Sequence, residues 1–143
     1  MGVKTNIAHI DTNIIVRLIT QDNSAEVKKA EKLIEDKHNI YVLEDAALME
    51  VVFVLMGDFY HFSRQDVADS IKTVMAIDNI YLNKSVISHT LDMFVAHPKL
   101  SFVDCYLATV TDLSGETPLW TLDQKLATQV STAKLVAWYI TSS

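Results

Sequence analysis

The sequence has few of the residues that mark disordered, disulfide-bonded or membrane-spanning chains. Three glycines and two prolines among 143 residues, with no low-complexity tract, argue against disorder. The single cysteine, Cys105, excludes an internal disulfide framework and fits a reducing cytosol, so we expect a small core residue there. No run reaches the roughly 18 apolar residues of a membrane span, and the N-terminal apolar run is too short for a signal peptide. We therefore expect a soluble, cytoplasmic protein that does not associate with membranes.

Positive charge is also scarce. The chain has 12 lysines and arginines against 18 aspartates and glutamates, a net charge of −6, and its only arginines are Arg17 and Arg64. This balance argues against broad, charge-driven binding of nucleic acid, which needs a basic surface. It still permits a nuclease, because a catalytic site built from carboxylates is acidic until cations fill it.

Half of the residues are apolar, which is ample for one core, and the length predicts a single domain over residues 1–143. Short β-rich segments alternate with longer amphipathic ones, a pattern that predicts an α/β fold with a parallel sheet covered by helices on both faces. The predicted strands are 7–10, 40–43, 80–82, 119–122 and 135–138. The predicted helices are 12–20, 25–37, 45–59, 85–96, 101–113 and 124–129, with one more opening at Ser63.

Two aspartates directly follow predicted strands. Asp11 comes after the first strand, which we expect to be buried, and Asp123 comes after the fourth. In open α/β sheets, chemistry is located at the carboxyl ends of strands. Either residue could instead simply cap the next helix. Thr121 lies two residues before Asp123 and therefore points to the same side of its strand.

Glu50 is the single residue that most strongly suggests a functional site. It lies in the middle of the predicted helix 45–59, which is apolar on nearly all sides and should be central in the core. A buried carboxylate costs several kcal/mol unless something compensates it. Compensation could come from an ion pair with Arg17, from protonation or from a bound cation, and a solvent-exposed edge would remove the cost.

Asp104 fits a helix start, because Ser101-x-x-Asp104 matches a capping box. In a right-handed parallel sheet, the elements that carry these four acids can bring them to one edge. Four close carboxylates would repel one another and require cations, and oxygen ligands select Mg²⁺ or Mn²⁺. A plain structural domain with coincidentally placed caps is the alternative.

Together these segments resemble a PIN-domain nuclease, and more closely the VapC-type toxins of prokaryotic toxin–antitoxin pairs. The resemblance covers roughly residues 7–138 and rests on Asp-Thr-Asn at Asp11, Glu50 in an apolar helix, Asp104 in FVDCYLATV, and Thr-Leu-Asp ending at Asp123. It implies a three-layer α/β/α fold with a five-stranded parallel sheet and Mg²⁺- or Mn²⁺-dependent hydrolysis of RNA. It also implies a homodimer and a cognate antitoxin that inserts into the site.

The resemblance also implies the site residues. Asp11, Glu50, Asp104 and Asp123 match the family's acidic quartet, as catalytic residues and metal ligands around a metal-activated water. Asn13 and Thr121 match polar positions that orient ligands and water. The chain departs from the family pattern at Cys105-Tyr106, where Ala or Ser often follows the third acid. Contact with RNA would fall to scattered cations, for which our candidates are Arg17, Lys84, Lys99 and Lys125.

Two other functions remain open. A phosphatase of the haloacid dehalogenase kind would use Asp11 as nucleophile, but that family requires Asp-x-Asp and Asn13 occupies the second position. A catalytically weak PIN-like module could instead bind a partner or regulate transcription as part of a complex. Titration with a divalent metal separates this module from a working nuclease.

Overall fold

The computed structural model describes residues 5–137, and the chain divides into two compact units, Met1–Lys84 and Ser85–Ser143. Strands and helices alternate through both units, as the sequence pattern predicts. In chain order they are β1 (Asn6–His9), α1 (Thr12–Thr20), α2 (Ser24–Glu35), β2 (Asn39–Val42), α3 (Asp45–Met56), α4 (Arg64–Met75), β3 (Ile80–Tyr81), α5 (Lys84–Ala96), α6 (Phe102–Ser114), β4 (Leu119–Thr121), α7 (Gln124–Gln129) and β5 (Ala133–Leu135).

The first unit contains a three-stranded parallel sheet in the order β1-β2-β3. His9 pairs with Val42, and Val42 pairs with Tyr81. Parallel neighbours need a crossover, which helices α1 and α2 provide before β2 and helices α3 and α4 provide before β3. Helix α1 packs against both α2 and α3. This arrangement places the start of α1 beside α3, which carries Glu50.

The second unit contains the parallel pair β4-β5, joined by the short helix α7. Its core includes an edge-to-face contact between the rings of Phe94 and Phe102, whose centroids lie 5.4 Å apart. Cys105 is fully buried near the start of α6, which confirms that it is a small core residue. The buried face of α6 also includes Ala108.

The α/β class with parallel strands is confirmed. The first unit contains three of the strands as one parallel sheet, and the second unit contains the other two as a parallel pair. Helices α1 and α7 have the predicted limits, and α6 is displaced by one residue. The assignment of residues 1–143 to a single domain stays a prediction. No helix within residues 5–137 has both the length and the apolar character needed to cross a membrane.

Two predictions of burial were wrong. All four residues of β1 are exposed, and Ile7 is 71% exposed, because within residues 5–137 this strand lies at the edge of its sheet, next to β2. Helix α3 ends at Met56 and not at residue 59, since Gly57 forms its C-cap. One side of α3 is buried while Phe53, on the other side, is 79% exposed, so the helix is not surrounded by core.

The fifth strand lies earlier than predicted. It covers Ala133–Leu135, where Ala133 pairs with Leu119 and Leu135 with Thr121. Alanine and lysine are depleted in strands, so the residues before Leu135 gave no strand signal. Trp138, the predicted end of this strand, lies outside the described residues.

The contrast between buried and exposed isoleucines gives a test of this arrangement. Ile71, in α4, is fully buried, whereas Ile7 is 71% exposed. We expect Ile71→Ala to lower the free energy of unfolding by about 2–5 kcal/mol through lost burial and a cavity. Ile7→Ala should cost less than about 1 kcal/mol, the range of strand propensity. Urea denaturation measures both, and equal losses would show that β1 is buried in solution.

Candidate active site

Asp11 lies at the junction between β1 and α1. Ile10 continues the strand's pairing, because its N–H donates to the carbonyl of Val42 at 3.0 Å. Asp11 is then the N-cap of α1, with an extended backbone, and its Oδ1 accepts the N–H of Thr12 at 2.7 Å. Asp11 therefore caps α1 through Oδ1. Its Oδ2 has no hydrogen-bond partner in the part of the chain that the structure describes.

Thr12 brings Asp11 and Glu50 together. Thr12 is only 4% exposed, and its hydroxyl donates to Oε2 of Glu50 at 3.0 Å, with the carbonyl of Ala47 as a longer alternative acceptor at 3.4 Å. One residue thus binds Asp11 through its backbone N–H and Glu50 through its side chain. Sequence reasoning did not single out Thr12, although it lies inside the Asp-Thr-Asn motif.

Of the alternatives that the sequence left open for Glu50, the structure shows the solvent-exposed edge. The side chain is exposed, because it lies on the side of α3 that does not face the core of this unit. The alternative of an ion pair with Arg17 is not formed. Arg17 pairs with Glu26, with Nε and Oε1 3.0 Å apart, and its Nη1 donates to the Tyr60 hydroxyl at 3.2 Å. The hydrogen bond to Glu26 is the largest influence on Arg17 and raises its pKa.

The other carboxyl ends of this sheet also carry polar groups. Glu44 and Asp45 follow β2, Asn83 follows β3, and all three line one open cleft of about 280 Å³. Oε1 of Glu44 lies 3.0 Å from Nε2 of His9, at the end of β1. Sequence reasoning missed Glu44 and Asp45, although their position directly after a strand is the same signal that identified Asp11.

In the second unit, Asp104 forms the capping box that the sequence predicted. The Oγ of Ser101 accepts the N–H of Asp104 at 3.1 Å, and Oδ2 of Asp104 accepts the N–H of Ser101 at 3.2 Å. Asp104 is half-buried at the start of α6. A helix N-terminus carries partial positive charge, which favours an ionised carboxylate at this position.

Asp123 is held at the junction between β4 and α7. Its backbone N–H donates to Oγ1 of Thr121 at 2.9 Å, and its Oδ1 accepts the N–H of Lys125 at 2.9 Å. Thr121 therefore contacts Asp123 directly through its hydroxyl. Asp123 is half-buried, and as at Asp11 the cap uses one carboxylate oxygen.

The structure thus joins Asp11 to Glu50 through Thr12 in the first unit, and places Asp104 and Asp123 at helix starts in the second. Asn13, in the first turn of α1, is exposed. Among residues 5–137, no three His, Cys, Asp or Glu side chains are close enough together to form a metal-binding group. The four-acid metal site therefore remains a prediction.

The capping geometry predicts which changes at Asp11 affect stability. Asparagine caps helices as well as aspartate does, so Asp11→Asn should leave the free energy of unfolding within about 0.5 kcal/mol of the original. Asp11→Ala removes the acceptor for the Thr12 N–H and should cost about 1 kcal/mol. Thermal unfolding followed by circular dichroism compares the two variants. Equal stability of Asp11→Ala and the original chain would contradict the cap.

Comparison with known proteins gives a family match and several similar solved structures, two of which follow. The family model for the PIN domain matches residues 8–130. One similar structure is Mycobacterium tuberculosis VapC20, a toxin that cleaves the sarcin-ricin loop, with 16% identity over 77% of this chain and 84% of that one, and a TM-score of 0.39. The other is Rickettsia felis VapBC2 bound to a promoter DNA fragment, with 14% identity over 91% and 97% of the two chains and a TM-score of 0.35. No curated protein sequence matches significantly.

Proposed function

The chain belongs to the PIN-domain family, and from that membership we propose that it is a metal-dependent endoribonuclease. The observation that carries the proposal is the hydrogen-bonded link Asp11–Thr12–Glu50. It holds two carboxylates, one at the start of α1 and one in the middle of α3, around one buried threonine. All four predicted acids lie inside the region matched by the family model.

The carboxylates fit a hard divalent cation. Asp11, Asp104 and Asp123 each use one oxygen for a backbone N–H, and Glu50 uses one for the Thr12 hydroxyl, so each has a second oxygen to offer. Oxygen donors of this kind select Mg²⁺ or Mn²⁺. When bound, the cation would polarise an RNA phosphodiester and lower the pKa of the attacking water.

The remaining residues have positioning roles in this proposal. Thr12 fixes the orientation of Glu50 through its hydroxyl and that of Asp11 through its N–H. Thr121 fixes the backbone of Asp123 in the same way. The exposed amide of Asn13, two residues after Asp11, is suited to orient a water molecule or a ligand.

We further propose that the chain is the cytoplasmic toxin of a toxin–antitoxin pair, that it forms a homodimer, and that a cognate antitoxin inhibits it. The support is the order and spacing of the four acidic motifs described above. The most direct observation is the neighbouring open reading frame, which should encode a small DNA-binding protein. Co-expression of the two proteins should yield a complex without ribonuclease activity, and sedimentation should show a dimer of this chain alone.

Neutralising the proposed ligands should abolish cleavage without unfolding the chain. Asp11→Asn, Glu50→Gln, Asp104→Asn and Asp123→Asn each keep a hydrogen-bond acceptor but remove a negative charge. We expect each to lower the rate of Mg²⁺-dependent cleavage of structured RNA by about a hundredfold or more, because several kcal/mol of charge stabilisation are lost. Gel assays of cleavage, paired with thermal unfolding of each variant, measure this.

Asp112→Asn is the matched control for these variants. Asp112 is exposed on α6 and loses the same charge, but it lies in the last turn of the helix, far from its start. It should retain full activity. If Asp11→Asn and Asp104→Asn cleave RNA as fast as Asp112→Asn does, the proposed site is wrong.

Divalent cations test the site in two ways, through RNA cleavage and through cation binding measured without catalysis. We expect EDTA to abolish cleavage and either Mg²⁺ or Mn²⁺ to restore it. A ligand that binds only the folded state also stabilises that state, by about 2.7 kcal/mol at a hundred times its dissociation constant. Calorimetric titration and melting temperature should both report cation binding in the original chain, and both signals should weaken in Asp11→Asn. A chain that takes up no cation would favour the alternative of a PIN-like binding module.

A further inference from the structure

A cleft in the second unit combines positive charge with hydrogen-bonding groups. It has a volume of about 450 Å³ and lies between the loop that follows α5 and the helix α7. Two of its lining residues are Lys99 and Lys125, and both are exposed. The remaining lining residues are Pro98, Gln124, Thr128 and Gln129. None of the six is a carboxylate, although the chain has 18 acidic residues.

The two lysines have no ion-pair partner among residues 5–137. They differ in this from Arg17, which is paired with Glu26. The cleft also offers neutral donors. Oε1 of Gln129 lies 3.1 Å from Nδ1 of His97, which leaves the amide nitrogen of Gln129 to donate elsewhere. Two ammonium groups and an amide N–H suit a singly charged phosphodiester.

The cleft begins next to a proposed catalytic residue. The backbone N–H of Lys125 donates to Oδ1 of Asp123 at 2.9 Å, so Asp123 and Lys125 belong to the same helix start. The cap directs the Asp123 carboxylate back to the beginning of α7, and Lys125, two residues later, lines the cleft. An RNA strand bound in this cleft would therefore pass beside Asp123.

A second cleft with two lysines provides the contrast. Lys29 and Lys32 line it together with Asp36. Asp36 accepts hydrogen bonds from the His38 backbone N–H at 3.1 Å and from the Asn39 amide at 3.0 Å, so it is fixed in place. A carboxylate in the same cleft offsets the charge of the lysines and would repel a phosphate. Of these two clefts, only the one at Lys99 and Lys125 has a lining suited to an anion.

We propose that the cleft lined by Lys99 and Lys125 binds backbone phosphates of the RNA substrate on one side of Asp123. The proposal rests on the proposed ribonuclease function and names the surface that holds its substrate. In a chain with a net charge of −6, phosphate binding must depend on a local group of positive charges. The cleft supplies such a local positive site without a basic surface overall.

The test measures RNA binding separately from RNA cleavage. Fluorescence anisotropy of a labelled single-stranded RNA, recorded in EDTA, compares the original chain with the double variant Lys99→Ala/Lys125→Ala. We expect about a tenfold weaker affinity at 0.1 M salt, and a plot of log affinity against log salt that is shallower by about 1.4, since each phosphate contact on a single strand contributes about 0.7. Lys99→Arg/Lys125→Arg should restore both values.

The matched control is Lys29→Ala/Lys32→Ala, which removes the same charge from the cleft that contains Asp36. It should leave affinity and salt dependence unchanged. Equal losses in the two alanine variants, unchanged binding by Lys99→Ala/Lys125→Ala, or no RNA binding by the original chain would each overturn the proposal. Cleavage assays in Mg²⁺ separate the two failures. An original chain that binds RNA through this cleft but does not cut it contradicts the ribonuclease function alone.

Discussion

The N–H groups at the start of a helix have no partner within that helix, and in α1, α6 and α7 an acidic side chain supplies one. This requirement fixes Asp11, Asp104 and Asp123 in direction as well as in place. Because a cap uses one carboxylate oxygen, the other oxygen of each residue is left for a ligand. Helix capping and the proposed cation binding therefore use different atoms of the same side chain, and one does not exclude the other.

Features that depend on local sequence could be predicted well. The limits of α1 follow from Asp11 as cap, and the capping box at Ser101 and Asp104 is present as predicted. Helix α7 also begins directly after Asp123. In each case the deciding hydrogen bond joins residues at most three positions apart, so the sequence window contains both partners.

Features that depend on distant residues could not be predicted in the same way. The bond between Thr12 and Glu50 joins residues 38 positions apart, and nothing near Glu50 indicates it. The apolar character of α3 suggested burial on all sides, yet Phe53 is exposed. The prediction failed because periodicity reports the hydrophobicity of a helix and not which neighbours cover it. Strand β5 exists through its pairing with β4, although Ala133 and Lys134 have weak strand preference.

The net charge of this chain is a poor guide to what it can bind, because groups of opposite charge lie close together on its surface. At the start of α7, the carboxylate of Asp123 accepts the N–H of Lys125, and Lys125 lines a cleft together with Lys99. Within about a Debye length, which is close to 8 Å at physiological salt, such local groups outweigh distant charges. An acidic protein can therefore present a carboxylate suited to a cation and a lysine suited to a phosphate within one helical turn.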